Sequence, residues 1–142
     1  MKREPFLILA GALSLLAALV HLAVIVGGPD WYRFFGAGEE LARMAERGSI
    51  YPALLTLGIA TILAIWAAYA FSGAGLIGKL PLLRTGLVVI TTIYLLRGLI
   101  LVPAVVLGRD INAFGWWSSL IVLGYGLAYL IGTWRAWPRL AR

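Results

Sequence analysis

Apolar side chains fall into four long runs along this chain, separated by short stretches that hold nearly all the charge. Phe6–Val26 has no charged residue, and His21 and Ser14 are its only polar side chains. At 1.5 Å per residue it makes a helix of about 31 Å, enough to cross a bilayer. Residues 52–72 and 116–134 are likewise uncharged, and residues 85–107 are interrupted only by Arg97. The pattern predicts an all-α polytopic membrane protein, a four-transmembrane-helix bundle forming a single membrane domain over residues 1–142. Its spans are predicted at 6–26, 52–72, 85–107 and 116–134. Lys2-Arg3 before the first run, and Ala10-Gly11-Ala12 within it, imitate a signal peptide. The apolar stretch before that site is too short and the whole run too long, so the segment is expected to be a true span.

Between the first two spans, Gly27-Gly28-Pro29 stops the helix. Trp31-Tyr32-Arg33-Phe34-Phe35 then forms an aromatic cluster suited to the headgroup level. Glu39–Arg47 follows, acids first and bases last, which predicts a short helix in this first outer loop with Leu41, Met44 and Ala45 on its apolar face. Small residues at four-residue spacing offer packing faces: Ala10, Ser14 and Ala18; Thr56, Ala60, Ala64 and Ala68; Gly124, Ala128 and Gly132. Pro103 is expected to kink the third span and free the carbonyl near Leu99 for another donor.

Composition agrees with a membrane protein. The 142 residues are 62% hydrophobic and 13% charged, with a formal net charge of +6. The basic residues are not a nucleic-acid code, because they sort by loop. Seven Lys and Arg against Glu4 alone lie with the two termini and the loop near Lys79. The two other loops hold four Arg against five acids. The net is +6 on one side and −1 on the other, which places both termini in the cytoplasm and lets the inner face meet anionic lipid headgroups. Richness in Ala, Gly, Leu and Arg suggests a bacterial cytoplasmic (inner) membrane. With no cysteine and one histidine, the chain excludes disulfides, thiolate chemistry, multi-histidine metal sites and bis-histidine haem.

Arg97 is the most informative position. An Arg at mid-span on a lipid face costs at least about 2.5–3.5 kcal/mol, so it is expected to face the bundle or a wet cavity. Gly86, Ile90 and Tyr94 share its helical face by spacing. No acid lies in any span, so its partner must be an outer acid such as Glu39 or Glu40, a carbonyl, or a bound anion. His21, near the outer end of the first span, is either a structural donor to a carbonyl or a ligand-binding or proton-transferring group. Tyr94 and Tyr125 can add hydroxyls to the same region. Two motifs are discounted. Gly73-Ala74-Gly75-Leu76-Ile77-Gly78 reads G-x-G-x-x-G but follows a membrane span rather than a strand. Glu39 and Glu40, adjacent on a helix, point about 100° apart and do not converge.

The favoured expectation is a binding or accessory protein that holds a lipid, quinone or similar amphiphile in an outer-side cavity. Its predicted ligand-binding residues are Arg97, His21, Tyr94, Glu39, Glu40 and Tyr125, with the first loop as a cover. The alternatives are a membrane-embedded enzyme, an isomerase or lipid-modifying enzyme, using His21 or Glu39 as acid/base, and an oligomeric channel or transporter subunit. A homo-oligomer or another membrane protein is a further possible partner; no metal or particular cofactor is implied. In size and span count the chain resembles small four-helix membrane proteins of the DoxX-like and EXPERA-like groups, a likeness that transfers no activity and no site.

Overall fold

The computed structural model describes residues 2–141. It is all-helical, 79% helix with no strand among the described residues. In chain order the helices are α1 (Pro5–Gly27), α2 (Pro29–Phe34), α3 (Glu39–Glu46), α4 (Tyr51–Ala74), α5 (Leu83–Gly98), α6 (Leu101–Val106) and α7 (Ala113–Leu140). Four segments are long and apolar enough to span a membrane: α1, α4, α5 continued by α6, and α7. The last is 28 residues, longer at both ends than the expected 116–134. Asn112 starts it early by accepting the Gly115 N–H at 2.7 Å, a side-chain N-cap. At the other end Arg135 and Arg139 continue the helix beyond its apolar stretch.

Contacts divide the chain into two compact units, residues 2–14 with 66–141, and residues 15–65. In the first, α5 runs antiparallel along α7. Gly98 lies against the Leu123 backbone, Gly126 against Leu95, and Arg84 against Trp137. A Cβ at Gly98 would sit 2.7 Å from the Leu123 Cα, so only glycine allows that approach. Gly132 does the same for α1, where a Cβ would come within 2.8 Å of the Leu7 nitrogen.

The small-residue faces are partly as expected. Ala10, Ser14 and Ala18 are all buried. On α4 the buried face is instead Thr56, Ala60, Leu63, Ala67, Ala70 and Ala74, while Ala64 is exposed. On α7, Ala128 and Gly132 are buried but Gly124 is exposed. A strict four-residue step drifts about 40° per step on a helix of 3.6 residues per turn, so a packing face must alternate threes and fours.

The centre of the first unit is polar. Ser14 Oγ, fully buried on α1, lies 2.8 Å from both the Tyr94 hydroxyl on α5 and the Tyr129 hydroxyl on α7. Tyr129 donates to the Trp66 carbonyl on α4 at 3.0 Å. A hydroxyl has one hydrogen, and that fixes the direction of the whole chain. Tyr129 has given its proton to Trp66, so it accepts from Ser14, and Ser14 accepts from Tyr94. The four aromatic groups also pack on one another, with Trp66, Tyr125 and Tyr129 each 5.0–5.6 Å from the Tyr94 ring.

At the basic end of this unit Glu4 is buried at 4% exposure. Arg135 Nε lies 3.3 Å and Arg139 3.7 Å from its carboxylate, and the Phe6 N–H donates to it. Arg139 also donates to the Lys2 carbonyl, and Lys79 to the Arg139 carbonyl. The acid that barely registered in the charge balance thus ties the start of α1 to the end of α7.

In the second unit, Val24, Tyr32 and Ala42 form a small core with Ala45 packed against it. Tyr32 is therefore inside, whereas its neighbours Trp31, Phe34 and Phe35 are exposed as the aromatic cluster requires. The short helix appears where expected, but its most buried residue is Ala42 rather than Leu41 or Met44.

Deleting the middle of the hydroxyl chain should cost more than deleting its start. Ser14→Ala leaves the buried Tyr94 O–H without an acceptor, and we expect a loss of about 0.6–2 kcal/mol in detergent unfolding. Tyr94→Phe removes only a donor to Ser14, which keeps its own proton satisfied, and should cost less. If Tyr94→Phe equals or exceeds Ser14→Ala, the assigned direction is wrong.

Candidate functional site

The third span is broken. Pro103 has no N–H for the Leu99 carbonyl, and the Val102 N–H takes that carbonyl instead at 3.0 Å in a tighter turn. The expected kink is present, but the carbonyl goes to a local donor. The consequence falls on Arg97. With α5 ending at Gly98, Arg97 stands in the last turn of a helix, where the unsatisfied carbonyls carry partial negative charge. It is exposed rather than enclosed, and its guanidinium donates to Ser119 Oγ at 3.2 Å. Among the described residues it forms no ion pair. Of the partners expected for it, an outer acid is not the one it meets; a serine and the partial charge of a helix end supply part of the compensation.

Glu39, one of the acids expected to meet it, has another cation. Arg33 binds both oxygens of Glu39, at 2.9 and 3.0 Å, and reaches Glu46 at 2.6 Å and Asp30 at 3.3 Å. Arg43 adds a second contact to Glu39 at 3.4 Å. A planar fork with five donors suits three carboxylates at once. The hydrogen bonds from Arg33 hold Glu39 below the usual carboxylate range and raise Arg33 further above neutrality. Three acids spaced around one Arg at positions 30, 39 and 46 were visible in the sequence, but not that the loop would close on itself.

The remaining predicted residues divide. Tyr94 and Tyr125 do come together, in the aromatic centre of the first unit. Tyr94 is 5% exposed and its hydroxyl is already committed to Ser14. His21 belongs to the second unit and is half-buried. Its Nδ1 lies 2.7 Å from the Ala17 carbonyl, which can only accept, so Nδ1 carries the proton. Glu40 is exposed on α3. No group of three or more metal-ligating side chains occurs among the described residues.

A groove of about 540 Å³ lies instead between α5 and α7, lined by Val88, Thr91, Thr92, Leu95, Leu130, Thr133, Trp134, Trp137 and Pro138. Its size falls within the range of small-molecule sites, about 300–1,000 Å³. None of the six predicted residues lines it. Threonine hydroxyls in these helices mostly fold back on the carbonyl four residues earlier: Thr91 to Leu87 at 2.7 Å and Thr92 to Val88 at 2.8 Å. Thr133 does not. It is 6% exposed, and its Oγ1 has no hydrogen-bond partner among the described residues. Arg84 stacks over Trp137, 4.1 Å from the ring centroid, and donates to the Trp137 carbonyl. The helical periodicity of α7 could have pointed to Thr133, but not to its empty hydroxyl, which depends on the neighbours.

Because Glu39 is held low by Arg33, its contribution to the α2–α3 loop is full above its unfolded value of about 4.3 and is lost as pH falls through the lowered one. Hydrogen-exchange protection of α3, corrected for intrinsic rate, should therefore persist below the pH at which an unpaired carboxylate protonates, and fall only at lower pH. In Arg33→Gln it should already be weak at pH 7, and equal protection in both proteins at pH 7 would count against the cluster. No family model, curated protein or solved structure matches the chain, so the functional reading rests on this geometry.

Proposed function

We propose that the protein is a small integral membrane protein that binds a lipid, quinone or similar amphiphile, acting as a binding or accessory protein. The observation that carries this reading is the apolar α5–α7 groove, with one buried, unpartnered hydroxyl and two indole-bearing residues in its lining. Such a surface suits a guest that is mostly hydrocarbon with a polar point near one end. This reading puts the site at the basic ends of α5 and α7 rather than around Arg97, because Glu39, one of the acids expected to pair with Arg97, serves Arg33 and the Tyr94 hydroxyl serves Ser14. The acid/base alternative loses support from the same contacts, since Glu39 is ion-paired and His21 Nδ1 is engaged with a carbonyl. The distribution of Lys and Arg supports an orientation with both termini inside, and the richness in Ala, Gly, Leu and Arg supports a bacterial cytoplasmic membrane.

Native mass spectrometry of the protein released from mild detergent tests the reading. Wild type should retain an amphiphile adduct, and Leu130→Trp, which fills the groove, should lose it. Leu127→Trp, on an exposed position of the same helix that does not line the groove, should keep it and so controls for folding. An adduct absent from wild type, or equally present in Leu130→Trp, overturns the proposal.

A further inference from the structure

The groove has a polarity along its length, and that polarity describes a ligand. Trp134 and Trp137 stand where indoles mark a membrane interface. Arg84 lies on Trp137, at the basic end, with its Nε buried and without a partner among the described residues. Thr133 is four residues from Trp137, one turn or roughly 6 Å deeper along α7. Val88 is level with it, and beyond it the walls are Leu95 and Leu130, with the Thr91 and Thr92 hydroxyls already donated to their own helix. From mouth to depth the sequence is therefore cation, interfacial aromatic, free hydroxyl donor, hydrocarbon.

Resting on the amphiphile-binding reading above, we infer that the guest is an ester-linked anionic glycerophospholipid from the leaflet at the basic end. Its phosphate lies by Arg84, an ester carbonyl accepts from Thr133 Oγ1, and one acyl chain runs along the groove over Leu130 and Leu95. A phospholipid presents these groups in this order. A quinone has carbonyls but no phosphate for the cation. A fatty acid has its anion at the level of the ester, with nothing left to reach Arg84. The hydroxyl also explains itself in this arrangement: a buried donor without a partner is costly, and Thr133 has a carbonyl four residues earlier that it does not use. Charge points the same way, for Lys2, Lys79, Arg84, Arg135 and Arg139 gather at that end with Glu4 the only acid among them.

The test is a titration of the full-length protein in detergent micelles, read by native mass spectrometry. The probes are dioleoyl phosphatidylglycerol, its dialkyl ether analogue, and dioleoyl phosphatidylcholine. Wild type should prefer the anionic diester over phosphatidylcholine about fivefold, from one basic residue near the surface. Arg84→Gln should abolish that preference, and Arg84→Lys should restore part of it. Thr133→Val should weaken diester binding about five- to tenfold, from loss of one hydrogen bond. It should leave binding of the ether lipid, which has no ester carbonyl, unchanged. Thr133→Val should also keep or raise the melting temperature of the lipid-free protein, because it removes an unpartnered hydroxyl. A fall in melting temperature with unchanged lipid affinity makes Thr133 structural and overturns the inference. The two readings fail separately. If Leu130→Trp displaces the lipid while Thr133→Val and Arg84→Gln bind as wild type, the lipid class is wrong; if Leu130→Trp displaces nothing, the amphiphile reading falls with it.

Discussion

In a bilayer, apolar helices gain little from burying apolar surface against one another, because lipid tails are as apolar as the helices. What specifies the packing must then be close backbone contact and polar groups that have no other partner. Ser14 supplies the second. Its single hydroxyl accepts from Tyr94 and donates to Tyr129, which passes its own proton to the Trp66 carbonyl. One residue on each of four helix segments is thereby joined in a directed chain, and each bond polarises the next. Sliding any one helix by a residue would leave a buried hydroxyl empty. The glycine contacts at Gly98, Gly126 and Gly132 hold only if that register is kept.

The same economy of polar groups organises the rest. Glu4 is buried because Arg135 and Arg139 come to it, and they can do so because α7 continues past its apolar stretch. Arg33 gathers three acids and so closes the first loop on itself. Arg97 is tolerated in the third span because Pro103 ends α5 beside it and Ser119 accepts from it. Against this background of matched donors and acceptors, the two buried side-chain atoms left over among the described residues, Thr133 Oγ1 and Arg84 Nε, are informative. Thr133 lines the α5–α7 groove, and Arg84 stacks on Trp137, another of its lining residues.

Much of the fold was legible in the residue pattern. Four apolar runs, the Gly27-Gly28-Pro29 stop and the acid-to-base order of Glu39–Arg47 predicted long spans and a short loop helix that form. Span ends were less legible. The end of α7 depends on Arg135 and Arg139 finding Glu4, a contact between residues more than 130 positions apart. Arg97 was a sound signal that led to the wrong neighbours. Its charge demanded compensation, but the sequence did not say that Pro103 would provide a helix end or that Arg33 would take Glu39 first. Tyr94 and Tyr125 lie against one another, in a packing centre rather than on the wall of the groove.

The division between the two sources has a physical basis. Span number, the sorting of charge between loops, and the absence of thiol chemistry are properties of local composition, since a bilayer reads hydropathy and charge one segment at a time. Those the sequence determined by itself. Which hydroxyl is satisfied and which is left empty is a matter of partners distant in the chain. Ser14, Thr91 and Thr133 are all small hydroxyl residues on apolar helices, indistinguishable by pattern. Tertiary packing made the first the hub of the core, turned the second back on its own helix, and left the third buried beside the groove without a partner.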